Sequence, residues 1–223
     1  MMLNAFTTDS DILARSGARV CDAIFYAGEG RLADPKVTHF VRAGGERRPS
    51  DGCYLPSLSD GDAVDDAIDA YSCGRPLILS ACATLEEVGT FDKKYGMTPI
   101  CYAHSCGLLG KGSFVSGCVY LDKDDIDLIV SSGTRVILTP SDSLGHGCGI
   151  PPLRMLHTLG AVVSLGTGSG TFNADADLVF EQRLICLAAS GILCTPDPVP
   201  KDFTDSMLRS DGVLLSAKAR RDE

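Results

Sequence analysis

Gly160 to Asp177 reads GAVVSLGTGSGTFNADAD, and the fold turns on this stretch. Val162, Val163 and Leu165 make a short apolar run just after a glycine stop. Gly166, Gly168 and Gly170 then open the backbone, and Asn173, Asp175 and Asp177 lead into the amphipathic run LVFEQRLICLAA. A buried strand, a glycine-rich loop at its C-terminal end and a new helix compose one βα unit.

The same punctuation recurs on either side. Upstream of that unit, Arg135 to Leu138 reads as a strand and Pro151 to Thr158 as a helix with proline in its first turn. Phe114 to Leu121 is a strand, followed by a helix over Lys123 to Ser131 that is entered through Asp122. LILSAC, beginning at Leu77, is a strand; Leu85 to Tyr95 is a helix stopped by Gly96, and Pro99 to Cys106 another stopped by Gly107. Ser59 to Tyr71 is a helix capped by Ser59, with Val64, Ala67, Ile68 and Tyr71 on one face. Ala18 to Tyr26 and Val37 to Val41 complete six strands. Between and after these two, loops rich in Gly, Pro and Arg run to about Pro56, and a short helix over Asp9 to Ser16 comes before them. Pro196, Pro198 and Pro200 form a linker to a last helix over Phe203 to Leu215. Repeated βα units with short glycine-marked connections predict an α/β fold with about six parallel βα units, one domain spanning residues 1–223.

Composition narrows the function. The 29 acids against 20 bases give a net charge of −9, so nucleic acid is an unexpected partner. No run reaches membrane-spanning length and MMLNAFTTDSD has no signal-peptide pattern, so a cytoplasmic protein is expected. The ten cysteines include no C-x-x-C pair and read as reduced thiols.

The ordered motifs resemble the amidohydrolase superfamily, in the branch of guanine deaminase and related aminohydrolases. Gly96-Met97-Thr98-Pro99 matches the turn between that family's fifth and sixth strands. Gly107 to Gly110 and Cys118 to Leu121 match the flanks of its sixth strand. Val136 to Ser143 matches the seventh strand, Gly149-Ile150-Pro151 the opening of the next helix, and Asp177 to Leu187 the helix carrying Glu181 and Arg183. The match runs from about Pro76 to Ala189. It implies a TIM (β/α) barrel, here partial, with the family's first two strands and their His-x-His expected to be missing.

The resemblance also implies where chemistry would sit, at the C-terminal strand ends. The family's fifth-strand His and the Glu three residues on correspond to Ser80 and Ala83, the sixth-strand His to Gly117, and the eighth-strand Asp to Gly168. Its seventh-strand Ser-Asn becomes Asp142-Ser143. A catalytic zinc needs three protein ligands, so no metal and no other cofactor is expected. Of the four histidines, His39, His104, His146 and His157, only His146 in GHGCG falls on a loop of that face. The pocket positions Ser80, Ala83, Gly117, Asp142, His146 and Gly168 are therefore candidate ligand contacts. A Ser80–Asp142–His146 triad and a Cys82 or Cys118 nucleophile rank below plain structural roles. Asp122, Asp124, Asp125 and Asp127 read as a charged helix start.

Two readings follow. The first is a catalytically degenerate barrel, a binding or assembly subunit. The second is a hydrolase of C–N bonds in a small cyclic substrate, its metal site completed by another chain. Both expect a small-molecule ligand. Because six strands would leave a gap between Ala18–Tyr26 and Ala161–Thr167, a second copy or a separate protein is expected to complete the barrel.

Overall fold

In the computed structural model, residues 4–7, 23–27, 37–169, 171–175 and 177–208 are described. Their strands run in parallel and pair in sequence order in one eight-stranded sheet. They are β1 (Asn4–Thr7), β2 (Ala23–Tyr26), β3 (Val37–Arg42), β4 (Gly52–Leu55), β5 (Leu77–Ala81), β6 (Ser113–Gly117), β7 (Arg135–Leu138) and β8 (Val163–Leu165). All six expected strands are among them, and β1 and β4 are additional. The sheet curls until β1 lies beside β8. The opening expected between the strand ending at Tyr26 and the strand ending near Thr167 thus holds the chain's own N-terminal strand. That strand reads Asn-Ala-Phe-Thr and carries no histidine.

The helices are α1 (Gly61–Ser72), α2 (Leu85–Tyr95), α3 (Pro99–Ser105), α4 (Lys123–Ser132), α5 (Pro140–Gly145), α6 (Leu153–Thr158), α7 (Leu178–Leu193) and α8 (Lys201–Ser206). Their starts follow from side chains that accept otherwise unpaired backbone N–H groups. Asp60 caps α1 in place of the expected Ser59, and Thr84, Thr98 and Asp177 cap α2, α3 and α7. Asp122 and Asp125 form a reciprocal capping box on α4, which accounts for the acidic cluster. α5 was not anticipated: the run VILTPSDS leaves the strand at Leu138 and turns helical at Pro140. α6 begins at Leu153, two residues after the expected start. The predicted helix over Asp9–Ser16 lies outside the described residues, as does the part of the last helix beyond Leu208. Among the described residues no helix is long and apolar enough to cross a membrane.

Strand side chains alternate between two apolar clusters. Leu77, Leu79, Val115, Val136, Leu138, Val163 and Leu165 share a cluster with helix residues such as Val64, Ile126 and Leu178, so they face the helices. Phe40, Ile78, Phe114 and Ile137 form a separate cluster and therefore fill the inside of the barrel. Phe114, 1% exposed, is at the centre of this inner layer. Replacing it by Ala should lower unfolding stability by about 3–5 kcal/mol in a urea titration.

Candidate functional site at the strand ends

The site face is shaped by residues in left-handed backbone conformations. Cys82 (φ 55°) follows β5, Gly117 (φ 86°) and Cys118 (φ 57°) end β6, and Gly168 (φ 59°) follows β8. These turns are locked by backbone hydrogen bonds: Cys118 N–H donates to Ala81 O at 2.9 Å, and Val119 and Tyr120 N–H donate to Cys82 O at 3.0 and 2.9 Å. Cys82 and Cys118 are both fully buried, and burial is the largest cause pushing each thiol far above its ordinary range, which favours a structural role. The nine described cysteines are free thiols, as expected.

Gly117 and Gly168, both expected to line the pocket, have no room for a side chain in the present packing. A Cβ on Gly117 would lie 2.8 Å from Ala81 O and 3.1 Å from the Ala83 Cβ. One on Gly168 would lie 2.6 Å from Asp142 Oδ2. The space beside each glycine is filled by neighbours, with Asp142 leaning over Gly168.

Asp142 joins the face together. Its Oδ1 accepts the hydroxyl of Ser169, and the Ser169 N–H lies 3.4 Å from the same oxygen. His146, the C-cap of α5, sets Nδ1 2.9 Å from Asp142 O and 3.5 Å from Asp142 Oδ1, with its ring edge-on to Phe172 at 5.2 Å. The hydroxyl that reaches Asp142 is thus Ser169's, not Ser80's, and it donates to the carboxylate instead of to a histidine. That is not the geometry of an activated serine. Tyr54 of β4 packs against the inner cluster; burial raises its phenol pKa, Arg42 opposes that shift and the Asp142 charge adds to it. Of the other histidines, His39 packs edge-on against Tyr26 and His157 against Phe203, and His104 is exposed on α3.

Beneath this face lies Glu181 of α7, 0% exposed. It accepts hydrogen bonds from Ser141 N–H (2.8 Å), the Ser141 hydroxyl and Asn173 Nδ2 (2.8 Å). Burial, the largest cause, raises its pKa, against the pull of those donors. Thr167 Oγ1, nearby in sequence, is the one buried side-chain polar atom among the described residues without a hydrogen-bond partner.

Ser80 is half-buried at the end of β5. Ser116 and Ser164, each 6% exposed, have the same strand parity as the inner cluster: Ser80 is in register with Ser116, Ser116 with Ile137, and Ile137 with Ser164. Sequence reasoning singled out Ser80 alone. Strict alternation from Phe114 would have exposed Ser116, whereas Ser164 follows only from the β7–β8 register.

The described residues at the strand ends do not by themselves fit the metal of the amidohydrolase family. The strand ends offer hydroxyls, glycines and the Asp142 carboxylate, and among the described residues no three His, Cys, Asp or Glu side chains converge as a ligand set.

These features define a parallel (β/α) barrel of amidohydrolase type, and the resemblance to that superfamily holds in sequence and in fold. No protein-family model matches the chain. A 5-methylthioadenosine/S-adenosylhomocysteine deaminase of Desulforamulus reducens is 29% identical over 162 residues, covering 72% of this chain and 37% of the relative. The deaminase of the same name from Haloarcula marismortui is 32% identical over 157 residues, 70% of this chain and 33% of the relative. An adenosine deaminase of Xanthomonas campestris, solved with bound zinc, superposes with a TM-score of 0.63 at 19% identity, over 79% of this chain and 40% of that one. The chain spans about a third of the length of the curated relatives it matches.

Gly168→Asp should cost about 3 kcal/mol or more, through a positive φ combined with the clash against Asp142. Adding Asp142→Ala to it should recover part of the loss, and two chemical unfolding curves measure the coupling. Glu181→Gln places an NH2 against the Ser141 donors and should cost about 1–3 kcal/mol. Because the Glu181 pKa is raised on folding, its favourable protonation contribution is full below its unfolded value and fades as pH rises through the folded one. The stability advantage of wild type over Glu181→Gln should therefore narrow with rising pH across that window, read from paired melts.

Proposed function

We propose that the protein serves a hydrolase of C–N bonds acting on a small cyclic, purine-nucleoside-like compound. In this reading the chain provides the barrel mouth that holds the substrate, and a second chain contributes the residues that complete a metal site. The observation that carries it is the alignment of about seven tenths of the chain with deaminases of methylthioadenosine and S-adenosylhomocysteine. The fold supports the same reading, since the mouth is framed by the strand ends at which such barrels work. Tyr54, Arg42 and Asp142 would orient the ligand, and His146 would lie at its edge.

A second reading, a binding or assembly subunit without catalysis, is favoured by Gly117 and Gly168, whose backbone and surroundings do not admit the family's ligands. One experiment separates the two. The chain is purified without chelator, sized by light scattering, analysed for zinc and assayed for ammonia release from adenosine and 5′-methylthioadenosine. The hydrolase reading expects turnover from an assembly containing a second chain and about one zinc per site. Nucleoside binding with no ammonia released, with or without added zinc, replaces it by the second reading.

A further inference from the structure

The helical wall outside the barrel holds a groove of about 610 Å³, a volume that suits a small ligand. Ile150, Met155 and Leu159 line it from α6 and its flanks, and Ala189, Ile192 and Leu193 line it from α7. Single exposed apolar side chains are ordinary, but a contiguous set in a concave surface is not. Ile192 is 65% exposed and Leu193 40% exposed, so the fold leaves branched carbon in water that an alkyl chain would cover.

The charge of the groove is opposite to that of the chain. The protein has 29 acids against 20 bases, yet the charged residues lining this groove are Lys123 and Arg154, with no acid among them. Lys123 is already paired with Asp127. Arg154 is open. Its Nε donates to Pro198 O at 3.2 Å, which orients the guanidinium, and its two terminal nitrogens have no partner among the described residues. Two such donors in a planar fork match the two oxygens of a carboxylate.

We infer that this groove is a ligand site, separate from the barrel mouth, for a free alkyl carboxylate of the fatty-acid type. The chain lies on the α6–α7 walls and the carboxylate takes the Arg154 fork. A ligand with several charges would lose its hydration against the apolar lining, and an alkyl cation would meet Arg154 as a like charge. The site is independent of whether the mouth catalyses.

Titration calorimetry on the full chain tests it, with decanoate, decanol and decyltrimethylammonium below their micelle concentrations as probes. About one decanoate should bind per chain, about fivefold more tightly than decanol, with the ammonium weakest. Arg154→Ala should bring decanoate down to the affinity of decanol and leave decanol unchanged within about twofold. Ile192→Asp, at an exposed position, should weaken both by about tenfold, and it supplies the test should Arg154→Ala fail to fold in a thermal melt. No decanoate binding up to millimolar concentration, equal affinities for the three probes, or folded variants that bind decanoate like wild type would each overturn the site. Light scattering that finds a dimer dissociated by Ile192→Asp, with decanoate unbound, would assign the groove to a second copy instead and overturn it too.

Discussion

The carboxylate of Glu181 has no exposed surface, and the C-terminal half of the barrel is organised around it. It takes three hydrogen bonds from two segments that would otherwise move independently: the start of α5 after β7, and the loop after β8. Asn173 extends the arrangement by bonding the backbone of Asp177 at both its N–H and its O, each at 3.0 Å, next to the cap of α7. A buried acid without a cation is tolerable only when its oxygens are filled by neutral donors. Because Ser141 is fixed in this way, Asp142 beside it is aimed over Gly168 and toward Ser169. The polar face of the mouth is thus set from beneath, by a residue that a ligand does not reach.

The mouth joins an amidohydrolase-type barrel to its own set of side chains. The parallel strand order and the helices between the strands are those of the superfamily's barrel. Among the described residues the groups presented at the strand ends are hydroxyls and one carboxylate, with no converging set of three His, Cys, Asp or Glu. This contrast is why the relatives and the local geometry each suggest a different use of the mouth. Both follow from the same few positions.

Much of the barrel was legible because its punctuation is local. α2 ends at Tyr95 with Gly96 in a left-handed turn, and β7 spans Arg135–Leu138, both as read from sequence. β7, equally short, has three large apolar residues in its run of four; β1, Asn-Ala-Phe-Thr, has one, and β4 lies between an arginine-rich loop and Pro56, so both were missed. α5 escaped notice because Thr139 and Pro140 look like the tail of an apolar strand. At the site, the positions of Asp142, His146 and Gly168 on one face could be read residue by residue. What joins them could not, since Ser169 sits in a loop that reads simply as flexible glycine sequence. Its partner Asp142 is 27 positions away, a pairing that only the fold supplies.

The side chain of Asp142 occupies the space where a Cβ on residue 168 would stand. A side chain at residue 168 and the present pose of Asp142 exclude one another. The two positions are therefore epistatic: what is admitted at one depends on the residue at the other, and neither can be exchanged freely alone.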